Sequence, residues 1–206
     1  MAKPKLTRIQ RKNRQKIMDA ALEVFSAHGY RGSTIDQIAR AAGMSKSSIL
    51  YYFSSKAQIH TALLTATLET WLEPLTELDP KGEPAEQIWL YIERKLEMSR
   101  SSPKQSRLFA NEILHGAPHI SDVIKTGLKA LVDEKCEVIR HWIKQGKLAD
   151  IAPHHLIFMI WAATQHYADF EAQVDALIEG CDDRDTCFNE ANHTLRTVFL
   201  SGLLPR

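Results

Sequence analysis

Apolar residues recur along this chain at three- and four-residue spacing. The breaks between the repeats carry proline, glycine and aspartate. This pattern predicts helices and almost no strand. Over 8–28, Ile17, Ala21, Val24, Phe25 and His28 form one stripe, and Gly29 ends it. Two short helices follow. Ser33 or Thr34 caps the first, whose Ile35, Ile38, Ala39 and Ala42 share a face. Gly43 suits the left-handed backbone that ends a helix. Ser45 caps the second, turning Ile49 and Phe53 inward. Ser55 caps a helix over 55–72, with Ile59, Leu63, Leu64, Leu68, Trp71 and Leu72 inward. Its length of roughly 24 Å suffices to join a head rigidly to a body.

Pro74, Pro80, Gly82 and Pro84 then interrupt the pattern. Helices are expected over 84–100, where Ile88, Tyr91, Ile92, Leu96 and Ser99 share a side, and over 103–115, with Leu108, Phe109 and Ile113 apolar. A long amphipathic helix over 120–145 turns Ile124, Leu128, Leu131, Val138 and Trp142 inward and stops at Gly146. The helix opened by Pro153, with the run LIFMIWAATQHYADF, is apolar nearly all round and must be covered on several sides. That points to a partner subunit. A last helix over 185–204 carries Phe188, Ala191, Leu195, Val198 and Phe199, and the two suit an isologous four-helix bundle. The expectation is an all-α homodimer in two parts. Residues 1–56 form an arm and a three-helix head; 57–206 form a helical effector-binding and dimerisation domain.

Ala39, Gly43 and Ile49 are the small residue, turn glycine and buried apolar residue of a helix-turn-helix. An ordinary helical hairpin shares that spacing, so charge has to separate the two. Residues 1–56 hold 11 Lys/Arg against three acids, a net +8, whereas 57–206 hold 15 against 22, a net −7. A basic head suits a polyanion and an acidic body does not. The second helix of the motif exposes Lys46, Ser47, Ser48 and Tyr51, groups able to meet phosphates and base edges. Lys56 lies in the first turn of the next helix, where a cation opposes the helix dipole, so its place suggests an external anion such as a phosphate.

Other chemistry finds little support. The longest apolar run, 156–163, is eight residues, short of the roughly 18–20 that a membrane span needs. The basic N-terminus lacks an apolar signal core, so a cytoplasmic setting is expected. Cys136, Cys181 and Cys187 are an odd number without metal-ligand spacing, which fits a reduced compartment, although the last two flank a turn. His154 and His155 are adjacent and point apart on a helix, a poor metal pair. No phosphate loop, zinc helix or nucleophile elbow appears. No metal or cofactor is expected. A small helical enzyme is the alternative from another class, and turnover of a ligand by purified protein would reveal it.

The stretch AALEVFSAHGYRGSTIDQIARAAGMSKSSILYYFSSKAQI resembles the DNA-binding head of TetR-family transcriptional regulators, and the likeness covers residues 8–56. It implies a fold of about nine helices, a homodimer whose heads read a near-palindromic operator in double-stranded DNA, and a body that binds a small effector. By position, Thr34 would contact phosphate, Ser45 to Ser48 would start the helix in the major groove, and Tyr51, Tyr52 and Lys56 would meet the backbone. Many relatives differ at Leu50 or Tyr52, which leaves open which tyrosine does so. In the body, KLEMSR, DEK, GKLA and HLIFMIWAATQHYADF are similar to RutR-type regulators of pyrimidine utilisation. The segment 173–192 has no such match. The likeness implies a repressor released by uracil or thymine. A drug-like or acyl effector is the alternative.

Uracil is a small planar ring with imide donors and acceptors, so its site needs an aromatic or apolar slot and one or two amide-like groups. Trp71 ends the linking helix. Trp161 and Gln165 lie one turn apart, as do Lys95 and Ser99. Gln165 is assigned to the imide, Trp71 to stacking, and Ser99 or Lys95 to a carbonyl. Trp161, like any tryptophan on an apolar helix, also suits the core.

Overall fold

Capping side chains set the helix starts. The computed structural model describes residues 7–178 and 183–205. Helix α1 (Arg8–Gly32) opens on a capping box. The Thr7 hydroxyl accepts from the Gln10 amide at 3.2 Å, and the Gln10 side chain accepts from the Thr7 amide at 2.9 Å. Gly29 interrupts it at φ 66°, where the sequence places its end. Thr34, rather than Ser33, caps α2 (Ile35–Ala42), again in a capping box, with Gln37. Ser33 is buried, and its hydroxyl donates to the carbonyls of Val24 and Gly29. Gly43, at φ 57° and ψ 42°, closes α2. Ser45 caps α3 (Lys46–Tyr52), accepting from the Ser48 amide at 3.1 Å.

Helix α4 (Lys56–Thr76) starts on Ser55, which accepts from the Gln58 amide at 3.1 Å. It runs past the expected end and through Pro74. A proline removes one backbone donor, and here the helix stops two residues on, so little is disrupted. Next come α5 (Pro84–Ser101) and α6 (Pro103–Leu114). The long helix expected over 120–145 is instead α7 (Ser121–Val123), a π-helical turn (Ile124–Leu128) and α8 (Lys129–Lys144). The extra residue of a π turn rotates the following face by about 100°. Consequently Val132, Cys136, Ile139 and Trp142 are buried, while the expected Leu131 and Val138 are half-buried. Gly146, at φ 69°, ends this segment as expected. Then come α9 (Pro153–Asp169), α10 (Glu171–Leu177) and α11 (Arg184–Leu203). Among the described residues there is no strand.

The chain divides into two compact units, Met1–Thr67 with Arg107–Ser121, and Leu68–Ser106 with Asp122–Arg206. The boundary falls inside α4 rather than at Lys56, and most of α6 with its following turn belongs to the first unit. Periodicity marks an element and its buried face, not the unit that covers it. In the first unit α2 packs on α1 and on α3. Ile17, Ala21, Phe25, Ile38, Ile49 and Phe53 are buried there; His28, expected in the stripe, is exposed, because α1 kinks at Gly29. In the second unit α5 packs on α9 and α11, and α8 and α10 pack on α9. Ile88, Ile92, Trp142, Ile157 and Ile160 lie in its core. Cys136 is a buried free thiol whose pKa burial raises; Cys181, one of the two cysteines that flank a turn in the sequence, lies outside the described residues. Among the described residues, no helix is long and apolar enough to cross a membrane.

Candidate nucleic-acid interface and effector site

The helix-turn-helix holds its polar groups at the surface. The Ser45 hydroxyl lies 2.9 Å from that of Ser47 and 2.8 Å from that of Ser48, so three short polar side chains share the first turn of α3. Ser45, Lys46 and Ser47 are exposed, and Ser48 is half-buried. Lys46 pairs with Asp36 at 2.8 Å, with both side chains more than half exposed. Such a pair is worth ~0–1 kcal/mol, so the ammonium can move to a phosphate at small cost. Thr34 is exposed at the N-terminus of α2, where backbone amides also point outward.

The two tyrosines divide. Tyr51 is 73% exposed. Tyr52 is half-buried, its hydroxyl accepts from Asn13 at 2.8 Å, and its carbonyl accepts from Arg14 at 2.9 Å. Arg14 also lies 4.0 Å over the Phe53 ring. Tyr52 therefore anchors α3 to α1, and Tyr51 is the one presented outward. Lys56 corrects the expectation of an external anion. Its ammonium donates to the carbonyls of Tyr30 at 2.6 Å and Ser33 at 2.7 Å and lies 4.4 Å over the Tyr30 ring. The dipole penalty at the start of α4 is offset by the carbonyl end of α1.

In the second unit Lys95 and Ser99 are buried. The Lys95 ammonium sits 3.9 Å over the Trp71 ring. Burial pulls its pKa down to about 7, while Asp169 pulls the other way. Ser99 donates to the Lys95 carbonyl at 3.2 Å. Gln165, half-buried on α9, has no hydrogen-bond partner among the described residues. Trp161 is occupied: its indole N–H donates to the Tyr91 hydroxyl at 2.6 Å, and its ring packs on the core. Thus the structure sets Lys95 against Trp71, ties Ser99 to the Lys95 backbone, and bonds Trp161 to Tyr91 beside the core. Sequence reasoning missed Asp169, which lies one turn beyond Gln165 and acts on Lys95; that spacing was the available signal. It also missed Asn13 and Arg14, which give no signal of their own.

A basic unit with a capped helix-turn-helix, and a helical unit in which a buried lysine lies against an aromatic ring, suit a DNA-binding regulator. The comparisons agree. Residues 17–63 match the family described as bacterial regulatory proteins, tetR family, and residues 64–206 match the YcdC-like protein C-terminal region. The chain belongs to the TetR family of transcriptional regulators, and its relatives are regulators rather than enzymes. It is 46% identical to the HTH-type transcriptional regulator RutR of Escherichia coli (strain K12), over 92% of this chain and 90% of that protein. Solved structures agree in fold. The fatty acid degradation regulator FadR from Bacillus halodurans superposes with a TM-score of 0.69 at 19% identity, covering 94% of this chain and 97% of that one. AibR in complex with isovaleryl coenzyme A and operator DNA gives a TM-score of 0.69 at 16% identity, covering 94% and 98%.

Proposed function

We propose that the protein is a homodimeric repressor of pyrimidine utilisation or nitrogen metabolism, released from a near-palindromic operator by uracil or thymine. The observation that carries the effector is Lys95, buried and with its ammonium 3.9 Å over the Trp71 ring. A carbonyl on a flat ring would give this ammonium a hydrogen bond while the ring stacks on the indole. Gln165 offers an amide donor and acceptor to an imide, and the likeness to RutR supports the same reading. Thr34, Ser45, Lys46, Ser47, Ser48 and Tyr51 would meet the operator, with Tyr52 and Lys56 holding α3 and α4 in place.

Dimerisation would use α9 and α11. Met159 and Val198 are exposed, and a cavity of about 840 Å³ lies between these helices, lined by Leu156, Ala163, Leu195 and Phe199 among others. An apolar face of this kind requires a cover, and a second copy supplies the matching helices. Effector binding would favour a state of the dimer whose heads are wrongly spaced for the operator. The test is to select the operator from genomic fragments and titrate the complex with uracil and thymine. Release by either is expected. Unchanged operator affinity at saturating pyrimidine would refute the effector assignment.

A further inference from the structure

Three titratable side chains converge in the first unit and serve neither reading above. His60 comes from α4, Glu112 from α6, and His119 from the turn after α6. His119 Nδ1 lies 3.0 Å from Glu112 Oε2, and His60 Nδ1 lies 3.9 Å from the same oxygen. One ligand atom from each residue falls within 4.8 Å of the others. A zinc ion about 2.0–2.1 Å from nitrogen and oxygen ligands sets tetrahedral neighbours about 3.3 Å apart, so small side-chain shifts would close this set on an ion.

The burial pattern favours a ligand set over a simple hydrogen-bonded cluster. The His60 and Glu112 side chains are 3% and 4% exposed, and that of His119 is 20% exposed. His60 Nδ1 is fully buried and has no hydrogen-bond partner. A structural His–Glu pair would close to hydrogen-bond distance; this one leaves a ring nitrogen and a carboxylate oxygen facing each other across a gap. Phe25 and Tyr30 wall the His60 ring at centroid distances of 5.0 and 4.6 Å.

The supporting groups fit as well. The His119 amide donates to Glu112 Oε1 at 2.6 Å, which turns Oε2 toward both imidazoles. Ala117 stands at φ 55°, a left-handed conformation that alanine rarely adopts, and its amide donates to the Glu112 carbonyl at 2.8 Å. The turn that delivers His119 is therefore strained, as segments at functional sites often are. A cavity of about 570 Å³, lined by the three residues with Arg107 and Asn111 among others, leaves room for water at a fourth position.

We propose that His60, Glu112 and His119 bind a divalent metal ion of the zinc class, giving the DNA-binding unit a second chemical input that shares no residue with the effector site. Two imidazoles and one carboxylate suit zinc or cobalt; calcium and magnesium would need more oxygen ligands. Bound metal would fasten the turn after α6 to α4 within the unit.

The test uses the full chain, stripped by a chelator and titrated with Co2+. One ion per chain, with visible absorption that Zn2+ abolishes, is expected. Glu112→Gln and His119→Gln should each weaken binding at least tenfold, whereas His119→Cys should still bind with an altered spectrum. Because burial makes these variants vulnerable, nitrogen NMR of the histidine rings in unaltered protein gives a second readout: Zn2+ should shift His60 and His119 and leave the other histidines in place. No cobalt absorption, equal binding by Glu112→Gln and His119→Gln, or shifts at other histidines alone would overturn the proposal.

Discussion

Lysine and serine play opposite parts in the two units. In the first, Lys46, Ser45, Ser47 and Ser48 crowd one exposed turn, held by caps and by an ion pair that water already screens. In the second, Lys95 and Ser99 also lie one turn apart, but they are buried against an indole. Exposed cations bind a polyanion through many weak, salt-sensitive contacts. A buried cation responds to a single well-placed acceptor. On the proposed reading the same side chains would serve an extended partner in one unit and a small selective one in the other, and burial would make the difference.

The comparison can be broken first at the surface that supports it. Ile49→Asp puts a carboxylate at a fully buried position of the helix-turn-helix. It should cost more than ~3 kcal/mol locally and abolish operator binding. Pyrimidine binding, followed by calorimetry, should persist, because the effector residues lie in the other unit. Loss of both would dissolve the distinction between the units.

Lys95→Met tests the buried side. The folded pKa of about 7 lies below the usual lysine range, which starts from 10.5 in the unfolded chain. Below pH 7 both states are protonated, and the full burial penalty acts. Between pH 7 and 10.5 the unfolded chain holds more protons than the native one, so native stability rises with pH and the penalty fades. The variant should therefore be more stable than the parent by ~2–4 kcal/mol at pH 7, with the gap closing toward pH 10 in urea unfolding. It should also lose its pyrimidine response. A constant gap would show that burial of charge is not what distinguishes this site.

Smaller effects separate the lysines of the head. Lys56→Ala removes two carbonyl contacts and should cost ~1–2 kcal/mol of stability while leaving the salt slope of DNA binding unchanged. Lys46→Ala should barely change stability but should lower the salt slope by about one. The reverse outcome would return Lys56 to the phosphates. Thr34→Ala removes the capping box of α2 and should cost ~1 kcal/mol, seen as a lower thermal midpoint.

The caps, the glycine stops and the helix-turn-helix were legible because each is a local event within about four residues. The carbonyls that take up the Lys56 ammonium lie 23 and 26 residues away, and nothing local announces them. The same holds for His60, whose neighbours Glu112 and His119 come from a distant helix end. The π turn hid for another reason. Ile124, Leu128 and Leu131 keep perfect helical spacing, yet one inserted residue turns the next face away from them. Helical spacing singled out Lys95 and Ser99, ligand chemistry singled out Trp71, and the structure brings the Lys95 ammonium to the Trp71 ring. Trp161 suits both ligand and core, and the structure shows its indole bonded to Tyr91 at the edge of the core.

The central claim is that a small planar pyrimidine binds where Trp71, Lys95 and Gln165 stand. Thermal unfolding of the parent protein and of Gln165→Ala, each with uracil, thymine, cytosine and a bulky apolar ligand, tests it most directly. A ligand at 100 times its dissociation constant adds about 2.7 kcal/mol to the native state. The account predicts a raised midpoint with uracil or thymine in the parent and a blunted one in Gln165→Ala. A midpoint that moves only with the bulky apolar ligand, or moves equally in both proteins with uracil, would contradict it.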